Sequence, residues 1–287
     1  MTVKLTLTVL CDNLAKAPLR PEHGLALWLQ GPDLALLLDC GSGETLQHNA
    51  EQLAIPLAAC QRVILSHGHY DHSGGLVAFW AQGGECPILA HPDALLPRYS
   101  HHPDKPVRSI GMPRVLVARL SALAESQRQW RTEPEKLTAY LGTSGEIPRH
   151  DPYEDVGGPF FLDESGQTAD RLQDDQALWL STPRGLVILL GCCHAGLINT
   201  LQHLQRITGI QRVAGIIGGV HLLHAGEARL AHTLQFLRDC SPDFIWLGHC
   251  SGKAVMTRLR HELPRVDVQL LHVGARYVLV GDACSGA

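Results

Sequence analysis

The chain lacks several features that would place it in other classes of protein. No apolar run reaches the roughly 18 residues that a membrane-spanning helix needs. Charged residues make up only 18% of the chain and the net charge is −4, so no broad basic surface suggests nucleic acid. The first residues alternate like a strand instead of forming the apolar core of a signal peptide. Nine cysteines include no Cys-x-x-Cys pair, as is typical of reduced thiols. We therefore expect a cytoplasmic protein without membrane or nucleic-acid partners.

Histidine is the residue type that stands out. The chain has 17 histidines but only five tyrosines and five phenylalanines. Imidazole is the commonest metal ligand among side chains, so the positions of these histidines are informative. The remaining composition is that of a globular protein, with 45% hydrophobic residues in 287, enough for one large core.

The order of apolar segments predicts the fold class. Apolar runs at residues 25–29 and 34–38, separated by Gly31-Pro32-Asp33, indicate a hairpin. Further strands then alternate with helices in both halves of the chain. This pattern favours an α+β protein with two facing sheets and helices outside, a four-layer αββα sandwich, in one domain spanning residues 1–287. Residues from about 91 to 135 are rich in proline and are predicted to be an insertion or lid, with a helix at about 121–130.

The most informative motif is Ser66-His67-Gly68-His69-Tyr70-Asp71-His72, which follows an apolar strand at residues 62–65. In an extended segment, alternate side chains point to the same side, so His67, His69 and Asp71 can project together. A turn at Asp71 would bring in His72. Imidazole and carboxylate suit Zn(II), Fe(II) or Mn(II). A solvated polar loop is the alternative, but such a run should arise by chance in well under about one chain in a hundred.

Three later histidines share one sequence context. His194, His221 and His249 each follow an apolar strand and have glycine close by. Glycine allows the backbone to approach a site closely, and sites in α/β proteins usually collect at strand ends. A lone histidine is more often a structural residue, but the repetition of one context favours a shared site.

These motifs resemble those of the metallo-β-lactamase superfamily. The resemblance rests on Leu37-Leu38-Asp39-Cys40-Gly41, on residues 65–75 and on the later histidines. More narrowly, the chain is similar to the branch related to dihydropterin-6-methyl-(ribofuranosyl)aminobenzene phosphate synthase. Counterparts of that branch's motifs are present around His194, His221 and His249, and at residues 145–149 and 174–177. The similarity spans nearly the whole chain except residues 95–135.

The resemblance implies a site for two divalent metal ions, zinc in the first place, with iron or manganese as alternatives. The implied ligands of the first metal are His67, His69 and His194, and those of the second are Asp71, His72 and His249. Asp71 would also orient the attacking water and accept a proton, and His221 would contact the substrate or donate a proton. Asp39 would support the metal loop, unless it serves as a turn or helix cap.

The chain departs from the superfamily pattern in two places. The usual bridging aspartate is missing because Gly191-Cys192 stands where Gly-Asp is common, and a further histidine of the pattern is also absent. Cys192, Cys193, Glu146 and His150 are candidates to fill these gaps, although small buried packing residues are the alternative interpretation of the two cysteines. In the predicted lid, Lys105, Arg108 and the pair His101-His102 are candidates to contact an anionic group, with a solvated loop as the alternative.

Three functions follow as hypotheses. The first is a metal-dependent hydrolase acting on a small anionic ester, such as a phosphoester. The second is a synthase-type reaction on a pterin precursor. The third is a metal-holding sensor or binding protein without turnover. One fold serves many reactions, so the resemblance alone does not decide among them.

Overall fold

The structure is a computed structural model that describes residues 2–282; Cys284 lies outside this range. The strands, in chain order, are β1 (Thr2–Cys11), β2 (Ala26–Gln30), β3 (Ala35–Leu38), β4 (Arg62–Ile64), β5 (Ile88–Ala90), β6 (Tyr99–Ser100), β7 (Arg108–Ser109), β8 (Arg128–Trp130), β9 (Glu135–Lys136), β10 (Leu141–Thr143), β11 (Phe160–Phe161), β12 (Ala177–Thr182), β13 (Gly185–Leu190), β14 (Val213–Gly218), β15 (Phe244–Leu247), β16 (Asp267–Leu270) and β17 (Arg276–Asp282). The α-helices are α1 (Leu46–Gln52), α2 (Tyr70–Ser73), α3 (Leu76–Ala81), α4 (Arg114–Ala122), α5 (Leu197–Thr208), α6 (Glu227–Cys240) and α7 (Lys253–Glu262).

Two large sheets contain most of the strands. The first has the order β17-β1-β2-β3-β4-β5-β8, and the second has the order β16-β15-β14-β13-β12-β10-β9. Each sheet has an antiparallel part, and each has a parallel part, formed by β3, β4, β5 and β8 in the first and by β13 to β16 in the second. Strands that run in parallel bring their carboxyl ends to one edge of the sheet. Loops that follow these strands therefore meet at that edge.

The central strands are apolar on both faces, and this produces four layers. In β3, Leu36 and Leu38 join the core between the sheets, whereas Leu37 joins the core beneath α1 and α3. In β13, Val187 and Leu189 face the other sheet, whereas Ile188 joins the core beneath the helices. Alternating side chains point to opposite faces of a strand, so such a strand must be covered on both sides. The predicted αββα arrangement is confirmed.

The segment at residues 91–135 differs from its prediction in its helix. The helix is α4, at Arg114–Ala122, and not at residues 121–130. Leu116 and Leu120, four residues apart, lie buried on the inner face of α4, and Pro113 precedes its first turn. Residues 128–130 instead pair in parallel with β5 as the edge strand of the first sheet, a tertiary contact that overrides their local helical pattern.

Residues 99–111 lie elsewhere in the molecule. They form β6 and β7 of a small three-stranded sheet with β11. This sheet is tied to the histidine motif, because the backbone N–H of Tyr70 donates to the carbonyl of Ile110 over 3.0 Å. Among the described residues, no helix has the length and hydrophobicity needed to cross a membrane.

Candidate metal centre

The predicted metal ligands converge at the edge where the parallel strands of both sheets end. The loop after β4 carries His67 and His69, and the loop after β13 carries His194. His249 follows β15 in the second sheet. Strands from two halves of the chain thus bring together side chains that lie as many as 182 positions apart in the sequence. All of these histidines are buried.

The histidine motif is extended only at His69, between a bend at residues 66–68 and a helical turn. His69 has φ −70° and ψ 148°, and the chain then enters the single helical turn α2. The hydroxyl of Ser73 closes this turn by donating to the carbonyl of His69 over 2.9 Å. A bend at residues 66–68 presents His67, the extended residue His69 follows, and the helical turn presents Asp71 and His72. The expectation that Asp71 shares the extended conformation was therefore wrong.

Gly68 allows the motif to pack tightly. A Cβ atom at this position would lie 2.0 Å from the carbonyl oxygen of Ala94 and 2.3 Å from a guanidinium nitrogen of Arg98. Any side chain would therefore push the loop away from the segment beneath it. The backbone N–H of Gly68 donates to Asp174 over 2.7 Å, which holds the loop in place.

Four imidazoles are oriented in the same way. In each ring Nδ1 is held by a hydrogen bond, and Nε2 is left to face the centre of the site. The partners of Nδ1 are the Ser66 hydroxyl for His67 at 2.8 Å, Asp39 for His72 at 2.7 Å, the Val156 carbonyl for His194 at 2.7 Å and the Asn13 amide oxygen for His249 at 3.0 Å. Such outer hydrogen bonds select the tautomer and orientation that a metal ligand requires.

The ligand atoms form two neighbouring groups. One consists of His67, Cys192 and His194, and the other consists of His72, Cys192 and His249, with the ligand atoms of each group within 4.8 Å of one another. His69 joins the first group, since its Nδ1 lies 2.9 Å from Nε2 of His67. Asp71 joins the second, since its carboxylate lies 3.3 Å from Nε2 of His249.

The donor set fits metal ions better than it fits hydrogen bonds within the protein. Nε2 of His194, which faces the centre, is buried and has no hydrogen-bond partner among residues 2–282. An unpaired buried polar atom costs about 1–3 kcal/mol, and coordination to a cation would remove that cost. Burial also lowers the pKa of His67, His69 and His194 well below the ordinary value. These imidazoles are therefore neutral at physiological pH, which is the form that binds metal.

The second group contains the charged members of the site. Burial opposes ionisation of Asp71, but hydrogen bonds with His23 and His249 hold its pKa well below the usual range. Burial likewise disfavours a charged His72, but the adjacent Asp39 outweighs this and raises the pKa of His72 to about 9. Asp71 is therefore a carboxylate within a cluster of imidazoles.

Asp39 lies at the end of β3 and connects the two groups. One oxygen accepts from the backbone N–H of Ser66, and the other accepts from the Ser66 hydroxyl and from Nδ1 of His72, all at 2.7 Å. Asp39 is completely buried. Its contacts are those of a residue that supports the metal loop rather than those of a helix cap.

Residues 174–176 connect the loops of the two sheets. Asp174 accepts from the N–H of Gly68, and Asp175 accepts from the N–H of Ala195 over 2.8 Å. The Gln176 side chain donates to the carbonyl of Leu65 over 3.0 Å. The buried Arg98 donates to Asp174 over 2.6 Å, which balances the charge of this carboxylate. These contacts align the loop after β4 with the loop after β13.

Backbone strain is concentrated around the centre. Seven non-glycine residues within residues 2–282 have positive φ, and four of them are Asp39 (59°), Cys193 (58°), His221 (41°) and His249 (49°). Residues other than glycine pay about 1–3 kcal/mol for sparsely populated backbone conformations and tend to do so at functional sites. At Cys193 the turn allows the residues on either side of it, Cys192 and His194, to face the same cluster.

A cavity of about 350 Å³ opens above the cluster. Its floor includes His69, Asp71, Cys192 and His249, and its wall includes the ring of Phe160. Its rim carries residues that can be positively charged, namely His102, Lys105, Arg108 and His224. The first three of these come from the predicted lid. Its size suits a small organic molecule.

The predicted site residues differ in how close they lie to the metal cluster. His67, His69, Asp71, His72, His194 and His249 all lie in the cluster. His221 lies beside it, with its ring centroid 4.3 Å from that of His194 and its Nδ1 buried without a partner among the described residues. Lys105 and Arg108 line the cavity, as does His102, whereas His101 packs against Phe161 instead.

Three of the residues predicted to replace the missing ligands lie outside the cluster, so these predictions were wrong. Glu146 pairs with His91 at 2.8 Å, His150 is exposed on the surface, and the Cys193 thiol contacts the hydroxyl of Thr200 at 3.4 Å in the core of the second sheet. None of the three belongs to a candidate metal group of the described residues. Cys192 is the candidate that faces the cluster, so its interpretation as a packing residue is also wrong.

The sequence analysis missed several residues of the site. His23 contacts Asp71 at 3.1 Å although its side chain is 56% exposed. Asp12 accepts from the backbone N–H of His249 over 3.0 Å, and Asn13 holds the ring of His249. Asp12 and Asn13 directly follow strand β1, so the strand-end context used for the histidines would have found them.

Comparisons with known proteins identify the family of the chain and some of its relatives. The model of the metallo-beta-lactamase superfamily matches residues 19–171. The chain is 27% identical over 270 residues to 7,8-dihydropterin-6-methyl-4-(beta-D-ribofuranosyl)-aminobenzene-5'-phosphate synthase of Methanocaldococcus jannaschii, with 90% of each chain covered. It is 28% identical over 257 residues to an uncharacterized protein of the same organism, covering 88% of this chain and 92% of the other.

Solved structures show the same fold. A metal-dependent hydrolase of the beta-lactamase superfamily superposes with a TM-score of 0.81 at 23% identity, covering 97% of this chain and 100% of the other. Zinc-bound PqqB from Methylobacterium extorquens superposes with a TM-score of 0.56 at 13% identity, covering 95% and 99%. These matches confirm the predicted resemblance and the predicted fold.

Proposed function

The chain belongs to the metallo-β-lactamase superfamily, and from that premise we propose that it hydrolyses a phosphate ester of a small molecule with two bound divalent metal ions. That it is an enzyme is confirmed, since the superfamily is enzymatic and a named synthase is among its relatives. The single observation that carries the hydrolase proposal is the combination of a neutral imidazole cluster with a cavity whose rim is basic.

The proposed ligands divide between two metal positions. His67, His69 and His194 would hold the first ion, and Asp71, His72 and His249 would hold the second. Mixed imidazole and carboxylate ligands suit zinc, with iron or manganese as alternatives. When bound, a pair of such ions lowers the pKa of a water molecule and neutralises charge on the oxygen of the attacked group.

The residues around the cavity would supply the remaining steps. Asp71, ionised between His23 and His249, would orient the attacking water and accept its proton. His221 projects beside His194 and would contact the substrate or donate a proton to the leaving group. Lys105 and Arg108 would pair with negative charge on the substrate, since both line the cavity. The ring of Phe160 would exclude water from one side of the site.

The experiment that tests this proposal measures hydrolysis of bis(p-nitrophenyl) phosphate. We expect turnover that is lost on chelation, restored by zinc or manganese and reduced in Lys105→Ala and Arg108→Ala. Arg114→Ala is the matched control, because Arg114 is an exposed arginine of α4 that does not line the cavity. Absence of turnover with this diester and with phosphate monoesters, in protein carrying two metal ions, would contradict the proposal.

A pterin-related synthase is the second candidate. It is favoured by the relative from Methanocaldococcus jannaschii, which is similar over 90% of both chains. The rings of Tyr70 and Phe160 line the same cavity and could stack on a planar heterocycle. Incubation of the metal-loaded protein with a pterin precursor, followed by mass spectrometry, distinguishes the two reactions. Full metal occupancy without turnover in either assay would favour a metal-holding binding protein.

A further inference from the structure

We infer that Cys192 supplies one thiolate to both metal positions and bridges them in place of a carboxylate. The inference rests on the proposed two-metal site and assigns its bridging ligand. Cys192 is a member of the group with His67 and His194 and also of the group with His72 and His249. Its sulfur lies 3.1 Å from Nε2 of His72. A side chain common to both groups is in position to contact both ions.

No carboxylate among residues 2–282 competes for this position. Asp71 is the one carboxylate in the candidate metal groups that the described residues form, and there it is grouped with His23 and His249. Asp39 faces away from the centre, since both of its oxygens accept hydrogen bonds from Ser66 or His72. Two cations held close together need an anionic ligand between them to limit their repulsion. Cys192 is the anion-forming side chain that both groups share.

The neighbouring cysteines have different surroundings. Cys193 points into the core beneath the helices, where its sulfur contacts Thr200. Cys250 belongs to a third group, which shares Cys192 and contains His221, and its sulfur accepts from the backbone N–H of His221 over 3.3 Å. Neither is grouped with the four central imidazoles. Cys193 and Cys250 therefore provide matched controls for a substitution at Cys192.

A bridging thiolate has a chemical consequence that hydrolysis assays do not report. Thiolate is a soft ligand that favours zinc, cadmium and cobalt over manganese and magnesium. Binding of the ions displaces the thiol proton to solvent, and the sulfur then donates one electron pair to each ion. No oxidant or reductant takes part in this step.

The test is spectroscopic and uses the full chain. Protein depleted of metal is titrated anaerobically with Co(II), and a thiolate-to-cobalt charge-transfer band is recorded in the near ultraviolet. Cadmium-loaded protein is then examined by cadmium NMR, which reports separately whether each ion has a sulfur ligand. We expect two ions per chain, both with sulfur ligation, in the wild type, in Cys193→Ser and in Cys250→Ser.

We expect Cys192→Ser to lose the cobalt band and the sulfur signature of both cadmium ions. Cys192→Asp, which restores an anionic side chain, should keep both ions without the sulfur signature. Sulfur ligation at only one ion would overturn the bridging role, as would a signature that disappears in Cys250→Ser but persists in Cys192→Ser. Failure of folded wild-type protein to bind two ions would overturn it as well. Two thiolate-ligated ions without phosphoesterase turnover would contradict only the proposed function.

Discussion

Replacing Asp39 with asparagine tests how the buried support of the site controls metal binding. Asparagine has nearly the same shape, but one carboxylate oxygen becomes an amide that donates hydrogen bonds. In the native protein, the Asp39 oxygen that is replaced accepts hydrogen bonds from the Ser66 hydroxyl and from Nδ1 of His72, both at 2.7 Å. With an amide N–H facing Nδ1, the neutral ring of His72 would carry its proton on Nε2, which is the atom that faces the centre. His72 would then be held in the tautomer that cannot bind metal.

Two effects determine how much metal affinity Asp39→Asn loses. Removal of an outer hydrogen bond to a ligating histidine typically weakens metal binding 10–100-fold, or about 1.4–2.7 kcal/mol. Burial lowers the pKa of His72, but Asp39 raises it to about 9, so in the native protein protons compete with metal below that pH. This competition weakens metal binding to the native protein at pH 7, and it is relieved when Asp39→Asn removes the carboxylate that favours the protonated ring. We therefore expect the deficit of the variant to reach 10–100-fold near pH 9 and to shrink towards pH 7.

The assay is competition for zinc against a chromophoric chelator at pH 7 and pH 9. Glu146→Gln is the matched control, because Glu146 also pairs with a histidine, His91, but outside the metal groups. We expect the control to bind zinc like the wild type at both values. A zinc affinity of Asp39→Asn within threefold of the wild type at pH 9 would refute the reasoning, as would a deficit that grows towards pH 7.

Three further predictions concern other parts of the site. His69→Ala should lose most bound metal and all activity, and retention of both ions in elemental analysis would count against its assignment as a ligand. Asp71→Asn should reduce turnover about 100-fold or more while the melting temperature changes little, in keeping with a group that transfers protons; a matched collapse in thermal stability would contradict that role. Burial raises the pKa of Asp12 from 3.8 to about 6, so ionisation of this carboxylate should lower the stability of the folded chain as the pH rises from about 4 to 6. Relative to the wild type, metal-free Asp12→Asn should gain up to about 3 kcal/mol in free energy of unfolding over that range. Urea titrations at several pH values measure this difference. A difference that does not change with pH would show that ionisation of Asp12 does not destabilise the folded chain.

Local sequence patterns were enough to predict most of the secondary structure and the metal ligands of residues 66–72. Strands such as β13 are apolar on both faces, and this periodicity is a property of adjacent residues, so it could be recognised from the sequence. The motif at residues 66–72 places four potential metal ligands within six consecutive residues, which made its chemistry recognisable as well. The position of α4 was mispredicted, because pairing of residues 128–130 with β5 is a contact between distant parts of the chain.

The identity of the remaining site residues was decided by the tertiary structure. Of two adjacent cysteines, Cys192 enters the cluster and Cys193 enters the core, and the positive φ of Cys193 is what separates them. Asn13 supports His249 across 236 positions of sequence. Residue types and spacing identify which side chains are able to bind metal. The direction of each side chain at a strand end depends on a single backbone conformation and on partners that only folding brings together.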